Sequence, residues 1–226
     1  MLGKREVLRG EVQSMIVDRL TAGLWEPGQR LSIEALARDL DVSPTPVREA
    51  LASIERFGPI EYHANRGYIV APPLTSEQLG EIIDARQVIE SAALSRAFVQ
   101  WPSFVDELRE RHAEHAETVA ALRNEQSVDF SLVQKHFAAD AEFHGTFFRY
   151  AGNRYLDGMR NMLGWDVHRT RQTWAEGPEH VDSEDALREH AKILACVEDR
   201  NHDGALRALH DHLESVRQRA GGTHWA

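Results

Sequence analysis

Ser43-Pro44-Thr45-Pro46-Val47-Arg48-Glu49-Ala50-Leu51 is the stretch on which the fold turns. Ser43 suits a helix N-cap, and Pro44 then falls at the first helical position, where its missing N–H costs nothing. Pro46 still lies in the first turn, whose amides have no intrahelical partner. Val47, Leu51 and Ile54 follow at helical spacing and make an inward face, leaving Ser43, Thr45 and Arg48 to point outward at the helix start. Upstream, Leu8, Val12, Met15, Ile16 and Leu20 make one apolar helical stripe, which Gly23 ends before a turn at Glu26-Pro27-Gly28. Leu31, Leu36, Ala37 and Leu40 line a short second helix. Two short helices, a tight turn and a third helix with a polar N-terminus have helix-turn-helix geometry, in which the third helix enters the major groove N-terminus first.

Downstream, Ile60-Glu61-Tyr62 and Tyr68-Ile69-Val70 read as two strands around His63-Ala64-Asn65-Arg66-Gly67, a hairpin whose turn needs Asn or Gly at positive φ. Arg66 falls at its tip, placed for a phosphate or a narrow minor groove. Four blocks now stand in order: Gly23-Leu24-Trp25-Glu26-Pro27-Gly28-Gln29-Arg30-Leu31, Leu36-Ala37, Val42 through Leu51, and Asn65-Arg66-Gly67. With these blocks, residues of roughly 7–70 resemble the GntR family of bacterial regulators. That resemblance implies a winged helix that binds double-stranded DNA at a palindromic operator as a homodimer. Ser43, Thr45, Arg48, Arg66 and Gly67 are the residues expected at the DNA. Pro44 stands where many members carry arginine, and Pro59 interrupts their usual Gly-Leu-Val entry to the wing, so no operator sequence carries over.

A chain of 226 residues, 42% hydrophobic, can bury two modest cores. The expected architecture is mainly α: a winged helix-turn-helix over 1–72 and an antiparallel all-α helical bundle over 73–226, joined by the stiff connector Ala71-Pro72-Pro73-Leu74. The single cysteine, Cys196, excludes a disulfide within the chain and suits a reducing compartment. No run of about 18 apolar residues is present, and the start lacks the apolar core of a signal peptide. The expected location is the cytoplasm, with no membrane partner. The net charge of −10 is unevenly spread. Residues 1–72 carry 9 basic and 10 acidic side chains, so the acidity belongs to the second half, with 11 of the 12 histidines. A broad basic footprint for nucleic acid is absent, and DNA contact must rest on local residues.

In the second half, Thr75-Ser76-Glu77-Gln78 is a capping box opening a long helix. Further helices are expected near 104–122, 130–150, 154–174, 184–200 and 204–219. Breaks fall at Trp101-Pro102, Asn124 to Ser127, Gly152-Asn153, Gly177-Pro178 and Asn201 to Gly204, and the last six residues should be loose. Polar residues intrude on the apolar stripes. Asp140 and His144 lie on or beside the face marked by Val133, Phe137, Ala141 and Phe148; His190 is flanked by Leu187 and Leu194, and His212 by Leu209 and Val216. A buried imidazole or carboxylate needs partners, and three histidines with one carboxylate can satisfy one another through a divalent metal. His136 and His210 touch the same stripes, so spacing alone leaves the ligand set open, and hydrogen bonding without metal is the alternative.

Arg86-x-x-x-Glu90, Asp140-x-x-Phe143-His144, Gly152-Asn153, Glu189-His190 and His212-Leu213 resemble the FCD ligand-binding domain of the FadR branch of the same regulators, over roughly 79–216. The resemblance implies a dimerisation and effector domain in which Asp140, His144, His190 and His212 hold a metal beside a cavity for a small organic acid. One oxygen and three nitrogens suit Zn²⁺, Ni²⁺ or Mn²⁺, with zinc favoured among the commoner ions. Arg86 is a second clamp for a carboxylate by its bidentate fork, or it pairs with Glu90 at i+4. Three functions follow: an effector-responsive transcriptional regulator, a metal sensor in which the ion is the signal, and a metal-dependent hydrolase using activated water. The regulator is the expected one, because no general base stands out and a DNA reader is foreign to a hydrolase.

Overall fold

The computed structural model describes residues 2–56, 58–101, 103–124, 130–176, 181 and 183–220, with backbone alone at 2–9, 130, 170, 172–176 and 220. Contacts divide the chain into two compact units, Met1–Pro73 with Val167–Glu176, and Leu74–Asp166 with Gly177–Ala226.

The first unit contains α1 (Leu2–Thr21), β1 (Arg30–Leu31), α2 (Ile33–Asp39), α3 (Pro44–Glu55), β2 (Ile60–His63) and β3 (Gly67–Val70). Its core joins Val12, Ile16 and Leu20 of α1 to Leu36 of α2, to Val47, Ala50, Leu51 and Ile54 of α3, and to Ile60 and Val70 of the wing. Each fully buried Leu, Ile or Val contributes about 1.5–3 kcal/mol. Met15, expected on the inward stripe, is instead exposed. It sits one residue from Ile16, about 100° around the helix, beyond the line of Val12, Ile16 and Leu20 that the core covers. The side chain of Leu8 lies outside the described residues.

The wing is a three-stranded antiparallel sheet in the order β1-β3-β2. β2 pairs with β3 from Ile60 opposite Val70 to His63 opposite Gly67. Gly67 adopts φ +76°, the positive value that the hairpin requires. The third strand is a correction to the sequence reading. Leu31 opens no helix but pairs with Tyr68, alongside Arg30 with Ile69. A two-residue strand carries no alternation to detect, and only its ladder partner makes it one.

The second unit is built from α4 (Ser76–Ala97), a 3₁₀ turn (Phe98–Gln100), α5 (Ser103–Asn124), α6 (Phe130–Ala151), α7 (Arg154–Leu163), the start of α8 (Trp165–Glu176), α9 (Ser183–Glu198) and α10 (His202–Ala220). The capping box forms as read: Gln78 N–H donates to Thr75 Oγ1, and Thr75 N–H donates to Gln78 Oε1. The single helix expected over 154–174 is two, because Gly164 takes φ +57° and ends α7 in the left-handed conformation. The expected breaks at 125–127 and 177–178 and the tail 221–226 lie outside the described residues. Packing partners close a ring: α4 lies on α6, α6 on α5, α5 on α9, α9 on α10, and α10 on α4. The fully buried Ile83, Leu94, Phe104, Leu108, Phe143, Phe147, Ile193 and Leu213 belong to one core that draws on all five helices.

Candidate functional site

Local geometry sets the positions of the residues expected at the DNA. Ser43 holds the N-cap position of α3 with extended backbone (φ −72°, ψ 160°), but its side chain makes no capping hydrogen bond. Its hydroxyl, Thr45 and Arg48 are all exposed at the start of α3, whose opposite face supplies the buried Val47, Leu51 and Ile54. Arg66 is exposed at the hairpin turn, where its amide donates to His63 O at 3.0 Å. A helix N-terminus with exposed hydroxyls and a guanidinium, beside a wing tipped with arginine, presents donors of the kind that phosphates and base edges accept.

In the second unit, the helix ring turns a cluster of imidazoles inward. His144 of α6, His190 of α9 and His212 of α10 are buried, and one ligand nitrogen from each lies within 4.8 Å of the others. Asp140, one turn before His144, places Oδ1 3.5 Å from His190 Nε2. His210, which spacing could not separate from His212, is exposed on the other side of α10. His136 is buried, but its Nδ1 lies 3.3 Å from Thr118 Oγ1 and its ring packs on His115. The structure therefore brings His144, His190 and His212 together, with Asp140 beside His190, where it also neighbours His115.

Each outer nitrogen has a partner. His144 Nδ1 lies 2.7 Å from Glu90 Oε2, and His212 Nδ1 lies 2.8 Å from Glu189 Oε2. Both carboxylates are gripped from behind. Arg86 Nε donates to Glu90 Oε1 at 2.5 Å, and Arg219 donates from Nη1 and Nη2 to the two Glu189 oxygens at 2.8 and 2.9 Å. Carboxylates that hold the far side of an imidazole are the usual outer support of histidine metal ligands. Arg86 is only 4% exposed, and its guanidinium also lies over the Trp165 ring at 4.6 Å. The i+4 pair with Glu90, one of the two readings of Arg86, is thus formed.

Burial sets the charges. It pushes the pKa of His190 well below the ordinary value for histidine, and lowers those of His144 and His212 against the opposing pull of Glu90 and Glu189. Burial raises the pKa of Glu90, but the charge of Arg86 and the hydrogen bonds from His144 and Arg86 outweigh it and hold the carboxyl well below the carboxylate range. Burial likewise acts upward on Glu189, while hydrogen bonds from Arg219 and His212 bring it down to about 2. The centre thus offers neutral imidazole lone pairs backed by ionised carboxylates. His144 Nε2 and His190 Nε2 stand 3.1 Å apart. Two nitrogens that each bind one zinc at about 2.0–2.1 Å stand roughly 3.0–3.4 Å apart. Donor type and charge state therefore fit a divalent cation, and the His144–His190 spacing agrees with one.

Sequence reading missed His115 of α5. It is fully buried, its Nδ1 lies 3.1 Å from His190 Nδ1, and burial pushes its pKa down to about 3. The signal was present: His115 stands seven residues after Leu108 and four before Val119, on the buried face of α5.

A winged helix-turn-helix reader with a separate helical unit defines a DNA-binding regulator, and comparison with known proteins agrees. Residues 8–70 match the bacterial regulatory proteins of the gntR family, and residues 81–215 match the FCD domain. The chain is 27% identical to the Uxu operon transcriptional regulator of Escherichia coli (strain K12), across 92% of this chain and 85% of that protein. It is 26% identical to the gluconate operon transcriptional repressor of Bacillus licheniformis, across 88% and 79% of the two. Among solved structures it shares its fold with E. coli McbR/YncC, at a TM-score of 0.73 and 18% identity, covering 94% of this chain and 96% of that one. The chain belongs to the GntR family and carries an FCD domain. It is a DNA-binding transcriptional regulator, and its relatives are regulators, not enzymes.

Proposed function

We propose that a small carboxylate, bound at a divalent cation held by Asp140, His144, His190 and His212, controls operator binding by this regulator. The observation that carries this reading is the convergence of three buried, neutral imidazoles, two of them backed by an arginine-held glutamate. When bound, the cation supplies a positive anchor for an acid; zinc is the first choice, with nickel or manganese fitting the same donors. His144 and His212 present their Nε2 lone pairs because Glu90 and Glu189 accept hydrogen bonds from their Nδ1–H groups. Asp140 supplies the one anionic donor. Arg86 serves as a second carboxylate clamp only by exchanging its bond with Glu90, so its first duty is to hold that glutamate. A relative named for the gluconate operon makes polyhydroxy carboxylates the first acids to try. The hydrolase alternative falls away with membership in a family of regulators.

The regulator acts in the cytoplasm as a homodimer on a palindromic operator, with Ser43, Thr45, Arg48, Arg66 and the Gly67 turn at the DNA. No helix among the described residues is long and apolar enough to cross a membrane. Support for the dimer comes from α4 and α7, which pack on each other. Val88, Tyr155, Met159 and Met162, four of the eight large exposed apolar side chains among the described residues, lie on these two helices. α7 buries no residue of its own, although Tyr155, Met159 and Met162 form an i, i+4, i+7 stripe. Such a face is normally covered by a partner, and a second copy supplies the two-fold symmetry that helix-turn-helix dimers impose on their sites.

The test is operator binding by chelator-treated protein, with zinc and gluconate added separately and together. Gluconate should change operator affinity only when zinc is present. A full response to zinc alone would favour the metal-sensor reading, and a gluconate response without any metal would refute the role of the cation.

A further inference from the structure

His190 differs from the other two histidines at the centre in what stands behind it. Glu90 accepts a hydrogen bond from His144 Nδ1–H, and Glu189 accepts one from His212 Nδ1–H, so each of these neutral rings keeps its Nε2 lone pair. His190 has an imidazole on both sides: its Nε2 lies 3.1 Å from His144 Nε2, and its Nδ1 lies 3.1 Å from His115 Nδ1. The neutral ring has one N–H and one lone pair to serve both contacts. Facing the His144 lone pair in the cation-free protein, His190 carries its proton on Nε2, so its Nδ1 accepts from His115 Nδ1–H. Offering Nε2 to a cation needs the opposite arrangement. The His190 proton must then sit on Nδ1, and His115 Nδ1 must accept it, with the His115 proton on Nε2. One proton leaves His190 Nε2, one passes from His115 Nδ1 to His190 Nδ1, and one arrives at His115 Nε2, so the protein gains and loses none.

His115 is built to stay in place through this exchange. It is fully buried, and its ring lies between those of His136 (centroids 4.8 Å apart, 30° between planes) and His190 (5.0 Å). Thr118 Oγ1 donates to the His115 carbonyl at 2.7 Å and has its lone pair toward His136 Nδ1. Phe143 stacks on His190 at 4.1 Å and 8°, fixing that ring plane as well. Among the described residues, His115 Nε2 is a buried nitrogen with no hydrogen-bond partner. The His115 proton moves to or from that nitrogen as His190 changes its own, so the His115 tautomer and the state of the centre are coupled.

We infer that His115 is the positioning residue of His190, the third outer support of the centre beside Glu90 and Glu189, and that its tautomer decides whether His190 presents a lone pair. This rests on the metal-centre reading proposed above and adds a residue that the ligand set does not contain. His115, Asp140 and His190 also lie close enough to hold a cation of their own, and the same measurements separate that possibility.

The experiment is a zinc titration against a chromophoric chelator for wild type, His115→Leu, His115→Gln and His190→Ala, with nitrogen-15 NMR of the metal-free wild type. Loss of an outer support lowers metal affinity by about 10–100-fold. His115→Leu should show that loss while still binding one zinc per chain, and His115→Gln should regain most of it, because its carbonyl accepts from His190 Nδ1–H. The metal-free spectrum should place the proton on Nδ1 of His115 and on Nε2 of His190, a readout that needs no variant to fold. Unchanged affinity in His115→Leu, or protons on His115 Nε2 and His190 Nδ1 without metal, would overturn the inference. Two zinc ions in wild type and one in His115→Leu would make His115 a ligand and overturn it as well. If wild type binds no zinc, or His190→Ala binds it undiminished, the metal centre itself fails, a result distinct from failure at His115 alone.

Discussion

Replacing Glu90 by alanine should be among the most damaging single changes in the second unit. The Glu90 carboxylate is buried between Arg86 Nε at 2.5 Å and His144 Nδ1 at 2.7 Å. Glu90→Ala leaves the Arg86 guanidinium, 4% exposed, without its anion, and strands the N–H of His144. Breaking a buried pair by removing one partner costs about 3–5 kcal/mol. At about 2–4 °C per kcal/mol for a chain of this size, the melting transition should fall by about 6–20 °C. The assay is thermal and urea unfolding of metal-free protein, so that loss of a bound ion does not enter. Arg86→Met combined with Glu90→Leu should cost less than Glu90→Ala alone, because the guanidinium is then not left buried without Glu90. A Glu90→Ala loss below about 1 kcal/mol would show that the pair is not buried as described. It would also remove the support assigned to His144.

Other expectations concern the reader and the dimer. Arg48→Ala should weaken operator binding by about 1–3 kcal/mol and relax one operator position, as loss of a guanine contact does; unchanged affinity in a folded variant would remove Arg48 from the interface. Arg66→Ala should weaken binding to all sequences alike and reduce the salt slope by about one, the mark of a lost phosphate contact. Met159→Glu should convert the dimer to monomer in analytical ultracentrifugation while the helical circular dichroism persists, and an unaltered dimer would move the interface away from α7.

The reader was legible because its signals are local. Pro44 and Pro46 permit a helix only at its first turn, and Val47, Leu51 and Ile54 then fix which face is buried, so α3 and its exposed Ser43, Thr45 and Arg48 follow from neighbours in sequence. β1 was not legible, because Arg30 and Leu31 become a strand only through partners nearly forty residues away. The two-helix break was carried by a single Gly164, which a helical pattern tolerates unless the backbone turns left-handed there. At the centre, spacing placed Asp140, His144, His190 and His212 on inward faces but could not choose between His212 and His210. That choice depends on the rotation of α10, which the packing of Leu209, Leu213 and Val216 decides. The supports were harder still. Glu90 and Glu189 lie beside recognisable residues, but nothing in the sequence links His115 to His190, 75 residues away on another helix.

The most direct test is elemental analysis of zinc in wild type, His212→Ala and His210→Ala after loading and dialysis. His212 is buried with its Nδ1 held by Glu189, whereas His210 is exposed two residues earlier on the same helix. Ligation by three helices predicts about one zinc per chain in wild type and in His210→Ala, with most of it lost in His212→Ala. Full zinc in His212→Ala would contradict the centre, most plainly if His210→Ala lost it instead.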